Sequence, residues 1–178
     1  TWWLVQNTPR IADPGQAVPA RHEPDYTMDG FTMQRFAADG SLRVLVHGAQ
    51  MRHYPDTDTI EIDGVTIRAW GAGGRLTVAT ARRAVANADA TEVQLQGQAR
   101  VVHGAEGSTG ADAPIEFASE FLHAFLDTER LKSHLPVVLR QAGSELRVAW
   151  IEYDHLARTA RLGGPLRGRF DVPAKAAR

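Results

Sequence analysis

Seven histidines, at positions 22, 47, 53, 103, 123, 134 and 155, are the side chains best suited to chemistry in this 178-residue chain. Imidazole binds metals and moves protons near neutral pH. No two of them have the close helical or loop spacing of a zinc site, so a metal centre is not expected and the histidines read as strand-face residues. Asp56-Thr57-Asp58-Thr59-Ile60-Glu61 has a faint likeness to a calcium loop, but it lacks glycine at the sixth position and carries Ile60 where an oxygen donor belongs; it reads as an acidic hairpin turn. Gly71-Ala72-Gly73-Gly74 is glycine-rich without the Lys-Ser/Thr that completes a phosphate loop. No serine sits in a nucleophile elbow. With no cysteine, disulfides, thiolate nucleophiles and Cys-bound zinc are excluded. Catalytic residues, metals and cofactors are therefore all expected to be none.

Composition narrows the class further. The length fits one domain, which should bury roughly 70% of its unfolded surface. Twenty basic residues against 21 acidic ones give a formal charge of −1, which speaks against a nucleic-acid partner. Thr1-Trp2-Trp3-Leu4-Val5 is too short to span a bilayer, which takes about 20 apolar residues. Tryptophan favours the membrane–water interface, so residues 1–6 fit the trailing end of a spanning helix; a first strand or an added leader fits them too. From 7 to 25, Pro9, Pro14, Pro19 and Pro24 block helix and favour an extended linker. A folded domain is expected over 26–172, followed by a tail at 173–178.

The elements that must position any site are strands. Val93, Leu95, Gly97, Ala99 and Val101 alternate with polar residues, the mark of a half-buried antiparallel strand. Thr59–Asp63 alternates as well, and beyond Gly64 the apolar phase slips by one to Val65, Ile67 and Ala69. Such a slip turns side chains over, so Gly64 should mark a bend or bulge. Asp39-Gly40 reads as a turn. Leu146, Val148 and Trp150 alternate with Arg147, Ala149 and Ile151, which predicts a strand apolar on both faces. Phe117–Leu126 fits helical spacing as well as a strand.

A repeat decides for strand. Small residues at Ala49, Ala81, Ser119 and Ala149 are followed 15, 16, 17 and 15 positions later by Gly64, Gly97, Pro136 and Gly164. A period near 30 predicts stacked β-units, hence a sandwich, jelly roll or open barrel. Its interior would be lined by Leu42, Val44, Val46, Ile60, Ile62, Val93, Leu95, Phe117, Phe121, Val148, Trp150 and Phe170, with Glu61 on the exposed face. The lining either fills a core or holds acyl chains.

Pro24-Asp25-Tyr26 through Phe31, Asp39-Gly40, and Leu42–Tyr54 with Ala49, Gln50 and Tyr54 resemble the start of the LptC family's domain, and Leu146–Phe170 resembles its last strands. The resemblance spans about residues 24–172. It implies an all-β fold, an open β-jelly roll of two antiparallel sheets of the OstA-like (LptA-like) kind behind an extended N-terminal arm. It also implies a lipopolysaccharide-binding groove in the periplasm, anchored to the inner membrane by an N-terminal single-pass helix. Partners implied are LptF and LptG of the ABC transporter (with LptB) at the N-terminal edge strands, and LptA at the C-terminal edge strands; open edges also permit a homodimer in isolation. By position, the family's lipid contacts fall at Phe31, Ile62, Ala160 and Phe170, to which the lining adds Ile60, Val46 and Trp150. Gly40 matches a family glycine, whereas Pro136 stands where the family has another. Arg158, Arg161, Arg167 and Arg169 either meet lipid phosphates or form a solvated face. The competing readings are a scaffold with a filled interior, an LptA-like carrier, and a jelly-roll enzyme on polysaccharide; the last needs two inward carboxylates about 5–10 Å apart.

Overall fold

The computed structural model describes residues 21–71, 75–104, 109 and 113–170. Residues 1–6, the linker up to residue 20, the last two residues of the expected domain (171–172) and the tail at 173–178 lie outside them, as do positions 72–74 of the glycine-rich turn. Among the described residues twelve strands follow in order: β1 (Tyr26–Phe36), β2 (Leu42–Tyr54), β3 (Thr59–Trp70), β4 (Leu76–Asn87), β5 (Glu92–Gly104), β6 (Ile115–Phe125), β7 (Arg130–Ser133), β8 (Val137–Gln141), β9 (Ser144–Val148), β10 (Trp150–Asp154), β11 (Thr159–Gly163) and β12 (Arg167–Arg169). All pairings are antiparallel, and β1 to β6 pair in sequence order. The expected strand over Phe117–Leu126 is β6.

The two expected sheets are two halves of one creased sheet. Pairing is interrupted along a line that crosses every long strand. Gly30 lies opposite Ala49, where the β1–β2 ladder skips a pair. Ala49 lies opposite Gly64, the β3–β4 ladder skips Gly64 and Arg82, and bulges in β5 displace Gly97 and Gln98. Beyond β6 the crease becomes a break. Its second half pairs with β7 and its first half with β8, with Pro136 between the two; Ala149 and Gly164 then separate β9 from β10 and β11 from β12. One layer (A) thus holds the second half of β1, first half of β2, second half of β3, first half of β4, second half of β5, first half of β6, and β8, β9 and β12. The other (B) holds the complementary halves with β7, β10 and β11.

The repeat in the sequence is this crease. Gly30, Gly64, Gly97 and Gly164 have φ of +55°, +60°, +72° and +83°, a left-handed conformation that costs other residues roughly 1–2 kcal/mol. A Cβ on Gly64 would stand 3.3 Å from that of Ala49, and one on Gly164 would overlap that of Ala149. Small residues opposite glycine let the strands fold sharply. Pro136 has no N–H to leave unpaired at the break, and its carbonyl accepts the Ser119 hydroxyl at 2.9 Å.

At the crease the inward face changes parity, because the layers must turn their apolar faces toward each other. In β3 the buried residues step from Ile62 to Val65, in β4 from Ala81 to Ala84, and from β9 to β10 from Val148 to Ile151. The β5 bulge supplies one extra residue, which is why Leu95 and Ala99 keep a common parity. This corrects the expectation of a strand apolar on both faces. Leu146 and Val148 face inward before Ala149, Ile151 and Tyr153 after it, so Trp150 faces outward, and by the same rule so does Phe121. The layers pack face to face, with Phe117 of A against Tyr153 of B at 5.2 Å between ring centroids.

Candidate functional site

The inner faces form one apolar surface running from β1 to β11 and β12. In the middle it is sealed: Ala84, Leu95, Ala99, Phe117, Leu122, Val137 and Ile151 are each 1% exposed or less. At both ends it opens. Met28 pairs with buried Met51, and Met33 with buried Val46, so both face inward, yet they are 45% and 46% exposed. At the far end Leu166 and Phe170 are 57% and 69% exposed. Among the described residues β1, β11 and β12 each have a strand partner on one side only.

Phe31, Ile62 and Val46 come together inside the β1 end. Phe31 pairs with Gly48, and a Cβ on Gly48 would overlap both the Phe31 ring and Ile62. Gly48 therefore leaves the space these two side chains fill, a role its sequence position did not announce. Ile60 is half-buried on the same face, toward the open margin of layer B. Ala160 pairs with inward-facing Tyr153 at the opposite edge and is exposed. Phe170 folds back over Gly168 toward Leu146. Trp150 is not part of the lining: its indole lies against Gly163 on the outer face. Gly40 occupies the β1–β2 turn at φ +80°, where its N–H donates to Ala37 O at 2.9 Å. The neighbouring Asp39 carboxylate accepts from the Ser41 N–H and hydroxyl at 2.9 and 2.6 Å, which hold its pKa below the usual value.

The outer faces are charged. On layer A, Arg100 and Arg140 both pair with Glu116, and Arg140 and Arg147 with Glu145, at 2.7–3.1 Å. Arg100 first and Arg140 second hold the Glu116 carboxyl below its ordinary range. On layer B, Arg83 and Arg52 cover Glu61. Glu61 is thus on the outer face as expected but buried rather than exposed. Arg161, Arg167 and Arg169 share register with the outward residues Glu152, Arg147 and Glu145, so they face away from the interior. Two depressions, of about 160 and 400 Å³, lie on these polar outer surfaces; the first is lined by Arg130, Lys132, Glu152 and Arg161 among others, the second by Arg100, Glu116, Arg140 and Glu145 among others. Among the described residues no group of three or more His, Asp or Glu could hold a metal, and no helix is long and apolar enough to cross a membrane.

An all-β sheet creased into two apolar-lined layers and open at its ends is an open β-jelly roll. The structure is similar to LptH, described as the LptA homologous periplasmic component of the conserved lipopolysaccharide transport device of Pseudomonas aeruginosa, with a TM-score of 0.59 at 12% identity over 72% of this chain and 95% of that one. No protein of curated function matches the sequence. The profile for "Lipopolysaccharide-assembly, LptC-related" matches residues 1–171, and the chain belongs to the LptC family. It is a transport protein and not an enzyme, and it takes part in lipopolysaccharide transport; its family is periplasmic and associated with the inner membrane.

Proposed function

We propose that this chain is a relay for lipopolysaccharide, holding acyl chains between its two layers. The carrying observation is that the apolar inner face is continuous and its lining is exposed at both ends. A filled sandwich exposes large apolar side chains singly, not as an inward row at each end. The β1 end receives lipid from LptF and LptG of the transporter, and the β11/β12 end delivers it to LptA. Strands with a free side support this reading, because they pair readily with a partner's strand. The charged outer faces keep the layers soluble, with Arg161, Arg167 and Arg169 at the delivery end in reach of phosphate groups. An N-terminal helix anchors the chain in the inner membrane.

The sealed middle favours a second reading, a scaffold whose interior never takes lipid. The two are separated by Met33→Asp and Phe170→Asp. A charge among acyl chains is costly, while both sites are exposed enough to accept aspartate in the empty fold. The relay reading expects lipopolysaccharide loading to fall at least tenfold with the melting temperature within a few degrees of the parent. A folded parent that takes up no lipopolysaccharide supports the scaffold, and full loading by both variants overturns a lining at the two ends.

A further inference from the structure

The crease closes one long side of the jelly roll. The opposite side is a pair of lips, where the layers meet only through side chains. On layer A the lip carries the ends of β3 and β5 and the starts of β4 and β6; on layer B it carries the turns at 55–58, 88–91, 126–129 and 155–158. Because the middle of the sandwich is sealed, any widening must part these lips.

One polar cluster bridges them. His103, at the end of β5 in layer A, meets His155, in the turn after β10 of layer B, edge to face with 4.6 Å between ring centroids. From β4, the Thr77 hydroxyl is bonded to His103 Nδ1 at 2.7 Å. His103 Nε2 is buried and has no hydrogen-bond partner. His155 Nδ1 lies 3.2 Å from the Tyr153 hydroxyl, and its Nε2 3.7 Å from the Glu129 carboxylate in the β6–β7 turn. The charged and titratable groups facing His103 among the described residues are His155 and Arg75, which oppose a positive charge on it, and Glu129, which favours one. Glu129 is already engaged by His155.

We infer that His103 and His155 form a proton-sensitive latch that holds the two layers together at their lips and loosens when His103 is protonated. With His103 neutral, its ring packs between the layers. A proton places a buried charge beside His155 and Arg75, on a ring whose Nε2–H has no acceptor. Burial first, then His155, holds the His103 pKa below the ordinary histidine value of 6.5. A depressed value means the opened form binds a proton the closed form does not. Closure is therefore strongest above about pH 6.5 and weakens as pH falls below it. The inference concerns movement of the layers and does not depend on what enters between them.

The chain has no cysteine, so Arg68→Cys on layer A and Asp89→Cys on the layer B lip accept a unique pair of spin labels. Both native residues are exposed and neither belongs to the cluster. The expected result is one short distance at pH 8 and a second, longer population at pH 5.5, at equilibrium and reversible. His103→Gln, which does not titrate, should abolish the pH response. An unchanged distribution between the two pH values overturns the latch, and so does an equal response in His103→Gln. Should that variant fail to fold, NMR of the parent's histidine rings decides instead. The midpoint of opening must coincide with the titration of His103, and a separation of more than about one pH unit overturns the inference.

Discussion

The middle of the jelly roll and its two ends are built from the same alternating strands, yet one is a packed core and the others are open. Leu122 and Met33 both face inward. Leu122, on β6, has layer B strands on both sides and layer A above it, and is fully buried. Met33, on β1, has a neighbour on one side only and stays half exposed. Inward orientation comes from period-2 alternation; burial comes from having neighbours on every side. A strand pattern thus specifies a lining, and position in the sheet order decides whether that lining is core or surface.

The largest expected effect tests this contrast directly. Leu122→Ala removes a fully enclosed side chain and should cost about 2–5 kcal/mol, whereas Met33→Ala should cost less than about 1 kcal/mol. Urea denaturation of the two variants gives both numbers, and similar costs would erase the distinction between middle and end. Next comes the junction between them. Gly48→Ala forces a methyl into the space held by Phe31 and Ile62, and overpacking of this kind should cost about 1–3 kcal/mol. A neutral result would mean that Phe31 and Ile62 shift freely toward the open end. At the crease, Gly64→Ala places an alanine at φ +60° and should cost roughly 1–2 kcal/mol, with little effect on which residues are buried.

The smallest effect belongs to the outer face. Because Arg100 and Arg140 depress the Glu116 pKa, the folded form holds its carboxylate where the unfolded chain would begin to take a proton. The pairing contributes stability above the ordinary glutamate value of 4.5 and loses it as pH falls through the depressed one. Thermal melts between pH 6 and 3 should show a shallower acid decline for Glu116→Gln than for the parent. An identical decline would assign the acid response to other carboxylates.

The residues of the crease were legible in the sequence as a repeat of small residue and Gly or Pro, because the crease needs particular residue types, although the repeat was read as stacked units of two sheets. Only glycine reaches the left-handed conformation cheaply at 64, 97 and 164, and only a small residue such as Ala49 or Ala149 fits opposite, so the requirement repeats once per strand pair. The sequence disclosed the change of parity at Gly64 but not its recurrence at Ser119 and Ala149, where the crease imposes the same change. Counting alternate residues through Ala149 puts Trp150 in the interior, and counting from Phe117 puts Phe121 there; both face outward because the inward set restarts at the crease. Nor could it reveal that Glu61 is covered by Arg52 and Arg83, or that His103 and His155, 52 residues apart, meet across the lips. Those contacts depend on how two layers face each other, which no local pattern records.

Passage of lipid between the layers would be read out by photocrosslinking to lipopolysaccharide along one strand. A benzophenone side chain at Ile62 reports the interior just inside the β1 end, and one at Arg68 reports the outer face of the same β3. A crosslinked adduct is expected at 62 and none at 68, in a protein whose melt is unchanged by the probe. Equal labelling at both positions, or none at 62 in the folded protein, would contradict passage between the layers.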